Sequence, residues 1–330
     1  MSKYLIIGSG AFGSALSQPL LANQHSVDFY SINNDELDEI KNKQTNHIYF
    51  GDQKFLGKIN QVYNNLNHAL ANNDYERIIL CVPSNALRGV IDQLKKFDCQ
   101  KSVLINASKG MDLSKLQLWS DVLEQEIACA GVFCLSGPSF AVEVFAQKPT
   151  KINLLGNNEK LGQAIIVDFS TPWFSLAFST NVKSANFFAS MKNVLAIGCG
   201  LVQGLYESKN ALCAYLTKGV QEVLLLAHKV YQTPTEDFID YYGLGDLILT
   251  CTDQKSRNFQ FGLQLSKQKA SVLLAHNKTT TEGLDSLCGV YNLLRKYDLN
   301  AVCPLLDYLY QVVYQDAITI DYVELIFHQQ

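Results

Sequence analysis

The sequence predicts an α/β N-terminal domain built on a parallel-rich, doubly wound sheet, followed by an all-α C-terminal domain. Three observations carry that expectation. Short apolar runs bounded by Gly, Pro, Ser or Asn recur through the first half of the 330-residue chain, and such runs suit parallel strands buried on both faces. Helix-length segments alternate with them, the pattern of a sheet wound with helices on each side. Beyond about Lys183 the strand-like runs stop and helix follows helix.

In chain order, residues 4–7, 27–30, 78–82, 103–106 and 132–135 are expected strands, with 11–23 and 86–95 among the intervening helices. Residues 152–155 and 174–178 form a further pair of strands around a helix at 159–169. The Asn-rich stretch 33–73 is expected to give a helix, a mobile loop and a short helix. The helical half contains 185–202, 210–230 and 305–313, and the division falls near Asn181.

Composition narrows the function. A chain of this length exceeds one modest core, so two domains are the natural expectation. The net charge of −4 and the lack of a Lys/Arg run argue against nucleic acid or an anionic membrane as partner. The first apolar segment is too short and Gly-broken for a secretory signal, and no apolar run approaches the ~20 residues of a spanning helix. Nine cysteines stand singly with no C-x-x-C pair, and the six histidines show no H-E-x-x-H spacing. That is the usage of reduced thiols in a cytoplasmic protein, with no metal expected.

Gly8-Ser9-Gly10-Ala11-Phe12-Gly13 has the G-x-G-x-x-G spacing, follows a strand and opens a helix. The first Gly permits a tight turn, the second lets the backbone approach a pyrophosphate, and the third packs helix on strand. This marks residues 1–181 as a Rossmann-like dinucleotide-binding domain and leaves 182–330 as a helical substrate and catalytic domain. The second strand ends in Tyr30-Ser31-Ile32-Asn33, with neither the acid of an NAD site nor the Arg of an NADP site. Preference between the two cofactors is therefore open.

Other candidates sit at strand ends and on helices. Ser108-Lys109-Gly110 closes a strand where ligands bind in open α/β sheets, although most lysines are merely solvated. In Ser136-Gly137-Pro138-Ser139-Phe140, Pro138 suits the first helical position, and the helix start could bind an anion or be purely structural. Lys192 lies in an apolar helix, where it either snorkels to solvent or serves proton transfer, its pKa lowered by desolvation and a nearby cation. Residues 243–262, GLGDLILTCTDQKSRNFQFG, gather Asp246, Thr250, Ser256, Arg257 and Asn258 among apolar neighbours. Arg with neutral donors suits a phosphorylated substrate; the plainer alternative is a buried Arg–Asp pair that ties two helices together.

GSGAFGSAL, CVPS, ASKGMD, LSGPSFAVEV, MKNVLAIGCGLVQGL, GLGDLILTCTDQKSRNFQFG and TTEGL together resemble the bacterial NAD(P)-dependent glycerol-3-phosphate dehydrogenases, over residues 4 to about 314. The resemblance implies reversible reduction of dihydroxyacetone phosphate to sn-glycerol 3-phosphate with NAD(P)H, supplying glycerophospholipid synthesis, by a cytoplasmic homodimer. It makes Lys192 the proton-transfer residue, oriented by Asp246, with Lys109 adding positive charge. Lys109, Gly137, Ser139, Lys192, Asn193, Asp246, Thr250, Ser256, Arg257 and Asn258 become substrate contacts. Gly8, Gly10, Ala11, Phe12, Gly13, Ser31, Lys109, Ala141, Arg257, Thr280 and Glu282 become cofactor contacts. The chain departs from the family at Phe188-Ala189, where relatives carry Gly-Gly, at Phe50-Gly51 for Leu-Pro, at Lys218 within T-R-G, and at Thr280-Thr281 within V-V-E-G. Two other readings compete: a β-hydroxyacid dehydrogenase of similar build, which would not need a phosphate-type pocket, and a nucleotide-sensing protein without catalysis, which would not need Lys192, Asp246 and Arg257.

Overall fold

Strands whose side chains are buried alternately on two faces organise the first unit. The computed structural model describes residues 1–71, 74–108, 111–112, 117–276, 282–319 and 324–325. The chain divides into a unit of residues 1–112 with 117–182 and a unit of 183–330 with 113–116.

The first unit runs β1 (Lys3–Ile7), α1 (Ala11–Ala22), β2 (Ser26–Tyr30), α2 (Asn34–Lys43), α3 (His47–Phe50), β3 (Gln61–Tyr63), α4 (Leu66–Ala71), β4 (Arg77–Leu80), α5 (Ser84–Leu94) and β5 (Cys99–Asn106). A small hairpin, β6 (Met111–Asp112) and β7 (Gln117–Leu118), leads to α6 (Trp119–Glu126), β8 (Cys129–Ser136), α7 (Ala141–Phe145), β9 (Thr150–Gly156), α8 (Glu159–Phe169) and β10 (Phe174–Ser179). The main sheet has the order β10-β9-β8-β5-β4-β1-β2-β3. Its neighbours are parallel except β8 and β9, so β9 and β10 run against the rest. Ile6, Phe29, Ile79 and Ile105 fill the core on one face, and Leu5, Ile7, Ile78 and Leu104 fill it on the other. This two-sided burial is why these strands read as unbroken apolar runs. The strand order reverses between β1 and β4, the switch point at which open α/β sheets bind ligands.

Two local expectations change. The stretch after α2 is packed and not loose: Phe50 and Phe55 are buried, and Phe50 stacks on Phe145 with centroids 3.8 Å apart. It also contributes β3, a three-residue edge strand too short and too polar to stand out in the sequence.

The second unit is helical throughout its described residues: α9 (Val182–Tyr206), α10 (Lys209–Tyr231), a 3₁₀ turn (Thr235–Phe238), a π-helical turn (Tyr241–Gly245), α11 (Asp246–Thr252), α12 (Arg257–Leu265), α13 (Ala270–His276), α14 (Glu282–Lys296) and α15 (Pro304–Tyr314). Contrary to the count of apolar runs, α9 is long and apolar enough to cross a membrane, but 83% of that window is buried within the protein.

Candidate functional site

The candidate residues fall into two sets, one in each unit. In the first, the turn from β1 to α1 depends on its glycines. Gly8 has φ +113°, and a Cβ there would lie 2.3 Å from the Cys81 carbonyl oxygen; one on Gly13 would lie 2.0 Å from that of Gly8. Gly10 differs, since its nearest neighbour would be Tyr49 Oη at 3.8 Å. The protein does not need a glycine at Gly10, which leaves open backbone where a phosphate could approach. Gly10 caps α1 without a side-chain hydrogen bond, and no acid stands in the first turn, so the N–H groups of the helix start suit a pyrophosphate. Ala11 and Phe12 are half-buried there. The residues fit a dinucleotide on these grounds.

Around this turn the sequence reading missed three residues. Asn46 is fully buried, and its Nδ2 donates to the Ser9 carbonyl at 2.8 Å and to Ser14 Oγ at 3.1 Å. Glu36 accepts from Ser9 Oγ and, with Oε1, from Tyr49 Oη at 3.3 Å. Only Glu36 left a signal, its position three residues after Asn33, and that signal reads as a helix cap. Ser31 is buried at the end of β2, and its Oγ accepts the Asn33 N–H.

At the end of β8, Gly137 has φ +147° and packs against Ile152, while Ser139 Oγ donates to the Gly137 carbonyl at 3.1 Å. The expectation for Pro138 is corrected: α7 begins at Ala141 with Phe140 as its N-cap, so Pro138 stands in the bend before the helix. The Ser139 hydroxyl is also held by its own turn, which keeps the bend narrow ahead of a helix of only five residues. Ser108 links two strand ends by donating to the Leu80 carbonyl at 3.3 Å and accepting the Val82 N–H at 3.2 Å. Lys109 and Thr280 lie outside the described residues.

In the second unit, Lys192 is 2% exposed and Asp246 is 3% exposed. The Lys192 ammonium donates to Asp246 Oδ2, so a carboxylate stands beside this lysine. Thr250 Oγ1 donates to the Asp246 carbonyl at 2.7 Å and lies 3.5 Å from Oδ1, and Cys251 Sγ donates to the Lys192 carbonyl at 3.6 Å. Asp246 opens α11 immediately after the π-helical turn, a local underwinding that often marks functional sites because it re-aims the next side chain.

A carboxamide chain continues from Lys192. Asn258 Nδ2 donates to Asn193 Oδ1 at 2.9 Å, Asn258 Oδ1 accepts the Gly283 N–H at 2.9 Å, and Asn193 Nδ2 donates to Glu282 Oε2 at 3.4 Å. Ser256 Oγ caps α12 by accepting the Phe259 N–H at 3.3 Å, and a hydroxyl that accepts can also donate its own proton. Arg257 pairs with Glu282 and not with Asp246, at 4.0 Å, and its side chain is 61% exposed. The plainer alternative of a buried Arg–Asp tie is thereby overturned. What remains is a buried ammonium held by a carboxylate, neutral amide donors beside it, and a guanidinium free to turn to an anion. Such a set can protonate a developing alkoxide and hold a phosphate.

Residues 3–162 match the family described as NAD-dependent glycerol-3-phosphate dehydrogenase N-terminus, and residues 181–324 match its C-terminus. A glycerol-3-phosphate dehydrogenase [NAD(P)+] of Malacoplasma penetrans is 34% identical over 306 residues, covering 91% of this chain and 89% of the relative. One from Ehrlichia ruminantium is 30% identical over 318 residues, covering 95% and 96%. The crystal structure of glycerol-3-phosphate dehydrogenase from Coxiella burnetii superposes with a TM-score of 0.87 at 27% identity, over 99% of both chains.

Proposed function

Because the chain belongs to the NAD-dependent glycerol-3-phosphate dehydrogenase family, we propose that Lys192 and Asp246 are its proton-transfer pair and that Arg257, Ser256 and the Asn193–Asn258 amides receive its phosphorylated substrate. The reaction is the NAD(P)-dependent interconversion of dihydroxyacetone phosphate and sn-glycerol 3-phosphate. The single observation that carries the site reading is the buried ammonium–carboxylate pair at the foot of the amide chain.

Bound NAD(P)H supplies the hydride that the C2 carbonyl accepts. As charge develops on the C2 oxygen, Lys192 stabilises it and gives up one proton, which makes the alcohol. Asp246 holds the ammonium in place and balances its charge before transfer. Arg257 is the phosphate clamp, for which a planar fork of donors is suited, and Ser256 with the free amide hydrogens completes it without excess charge. Lys109 supplies further positive charge at the same oxygen or at the phosphate, and Thr280 with Glu282 lines the cofactor. The glycine turn at Gly8, Gly10 and Gly13, with Ala11, Phe12, Ser31 and Ala141, holds the dinucleotide. Residues 1–181 thus form the dinucleotide-binding domain and 182–330 the helical substrate and catalytic domain, each adding a few contacts to the other's ligand. Supply of glycerophospholipid synthesis, a homodimer, and a cytoplasmic enzyme not inserted in membrane belong to the same reading; the burial of α9 supports the last point.

Oxidation of NADH, then of NADPH, with dihydroxyacetone phosphate is followed at the nicotinamide absorbance. Turnover with the phosphorylated ketone is expected. Turnover with a β-keto acid and none with dihydroxyacetone phosphate would overturn the substrate assignment.

A further inference from the structure

The strand end that ordinarily reads the adenosine ribose holds Ser31 and Ile32, with no charge of either sign, yet a carboxylate reaches the glycine turn from another element. Glu36 stands three residues after the N-cap Asn33, the spacing of a capping box, in which the acid accepts the N-cap backbone N–H. In this chain that N–H goes to Ser31 Oγ at 3.2 Å, and the acid is released from capping. Glu36 Oε2 instead accepts from Ser9 Oγ at 2.5 Å, and Oε1 accepts from Asn33 Nδ2 at 3.0 Å and Tyr49 Oη at 3.3 Å. Ser9 is the residue enclosed by Gly8 and Gly10, so the charge is fixed to the turn itself.

This carboxylate is 6% exposed, and among the described residues no Lys or Arg pairs with it. Three of its roughly four acceptor positions are filled by neutral protein donors. The remaining position suits a hydroxyl. A phosphate ester of charge near −2 brought to the same place meets an unneutralised negative charge where water screens little.

We propose that Glu36 takes the part of the missing strand-end acid, accepting a hydroxyl of the adenosine ribose and repelling a 2′-phosphate, so that this chain prefers NADH to NADPH. The inference rests on the reading of the Gly8–Gly13 turn as the dinucleotide site. It assigns cofactor choice to α2 and not to the end of β2.

Calorimetric titration of the full chain with ADP-ribose and with 2′-phospho-ADP-ribose tests it without turnover. Wild type is expected to bind ADP-ribose at least about tenfold tighter, the scale of a like-charge contact. Glu36→Gln, isosteric and uncharged, is expected to bring the two within about threefold, mainly by tighter binding of the phosphorylated fragment. Should Glu36→Gln fail to fold, Ser9→Ala unpins the carboxylate from the turn and is expected to lower the discrimination at least about threefold. Equal binding of both fragments by wild type, or an unchanged ratio in the variants, overturns the role of Glu36 and leaves the turn as the dinucleotide site. Binding of neither fragment, nor of NADH, overturns the dinucleotide reading itself.

Discussion

At Lys192 the same burial that equips the ammonium for chemistry makes it costly to alter. With 2% exposure it has Asp246 as its charge partner, and Asp246 is equally withdrawn from water. Lys192→Met removes the proton and leaves a buried carboxylate with, among the described residues, Thr250 beside it. Two losses are expected together: about 10²–10⁴-fold in kcat, and about 3–5 kcal/mol of stability from the uncompensated charge. NADH affinity should hold, since the glycine turn lies in the other unit. Single-turnover hydride transfer with parallel urea unfolding separates the two effects, and a near-normal single-turnover rate would remove Lys192 from the chemistry. Arg257 is the opposite case. Exposed and 4.0 Å from Glu282, it contributes at most about 1 kcal/mol to stability. Arg257→Ala should nonetheless weaken use of dihydroxyacetone phosphate by about 2–5 kcal/mol, with a far smaller loss for unphosphorylated dihydroxyacetone. Equal losses on both substrates would count against a phosphate role.

At the scale of elements, the amide chain exists because helices meet almost backbone to backbone. A Cβ on Gly262 of α12 would lie 1.8 Å from the Ile197 carbonyl of α9, so Gly262→Ala must push these helices apart. It alters no polar group, yet kcat should fall along with a stability loss of about 1–3 kcal/mol or more from overpacking. Normal turnover in a stable Gly262→Ala protein would show that the spacing of α9 and α12 does not set the site. The Phe188 departure belongs to the same construction. Phe188 lies one turn before Lys192 and packs on Phe238 and Tyr242, with centroids 5.2 and 6.5 Å away, and Tyr242 lies one turn before Asp246. These aromatic rings therefore buttress both members of the ion pair. Strands buried on both faces and long apolar helices were legible in the sequence because burial writes itself as composition. β3, at the sheet edge with only three residues, left no such run. The π-helical turn is a change of winding with no side-chain signature, and the Glu36 carboxylate was hidden behind a local capping pattern that the fold overrides. Lys192 and Asp246 were legible as residue types in apolar surroundings. Their contact across 54 positions came from the resemblance, since spacing alone cannot supply it.

Across the whole molecule, one carboxylate ties distant parts of the helical unit and makes stability depend on pH. Glu222 of α10 is 2% exposed, and its two oxygens accept the Leu305 and Leu306 N–H groups at 3.1 and 3.0 Å. It thereby caps α15, whose own N-cap, Cys303, supplies no side-chain bond. Burial pushes its carboxyl up to about 7 from 4.5, against the pull of these N–H donors and of Lys218, whose Nζ lies 3.9 Å away. Between those two values the folded chain holds a proton that the unfolded chain has lost. Stability must then fall as pH rises through about 4.5 to 7 and level off above, by at most about 3 kcal/mol. Glu222→Gln keeps an acceptor oxygen for α15 and cannot ionise, so it should flatten that slope and gain on wild type at pH 8. Both tryptophans, Trp119 and Trp173, belong to the first unit, and two units need not unfold in one transition. Urea unfolding followed by far-ultraviolet circular dichroism, at fixed pH values from 4.5 to 8, therefore reports on the helical unit better than fluorescence. Parallel pH slopes in wild type and Glu222→Gln would mean that this carboxylate is ionised throughout the range, and that the two N–H donors outweigh the cost of its burial.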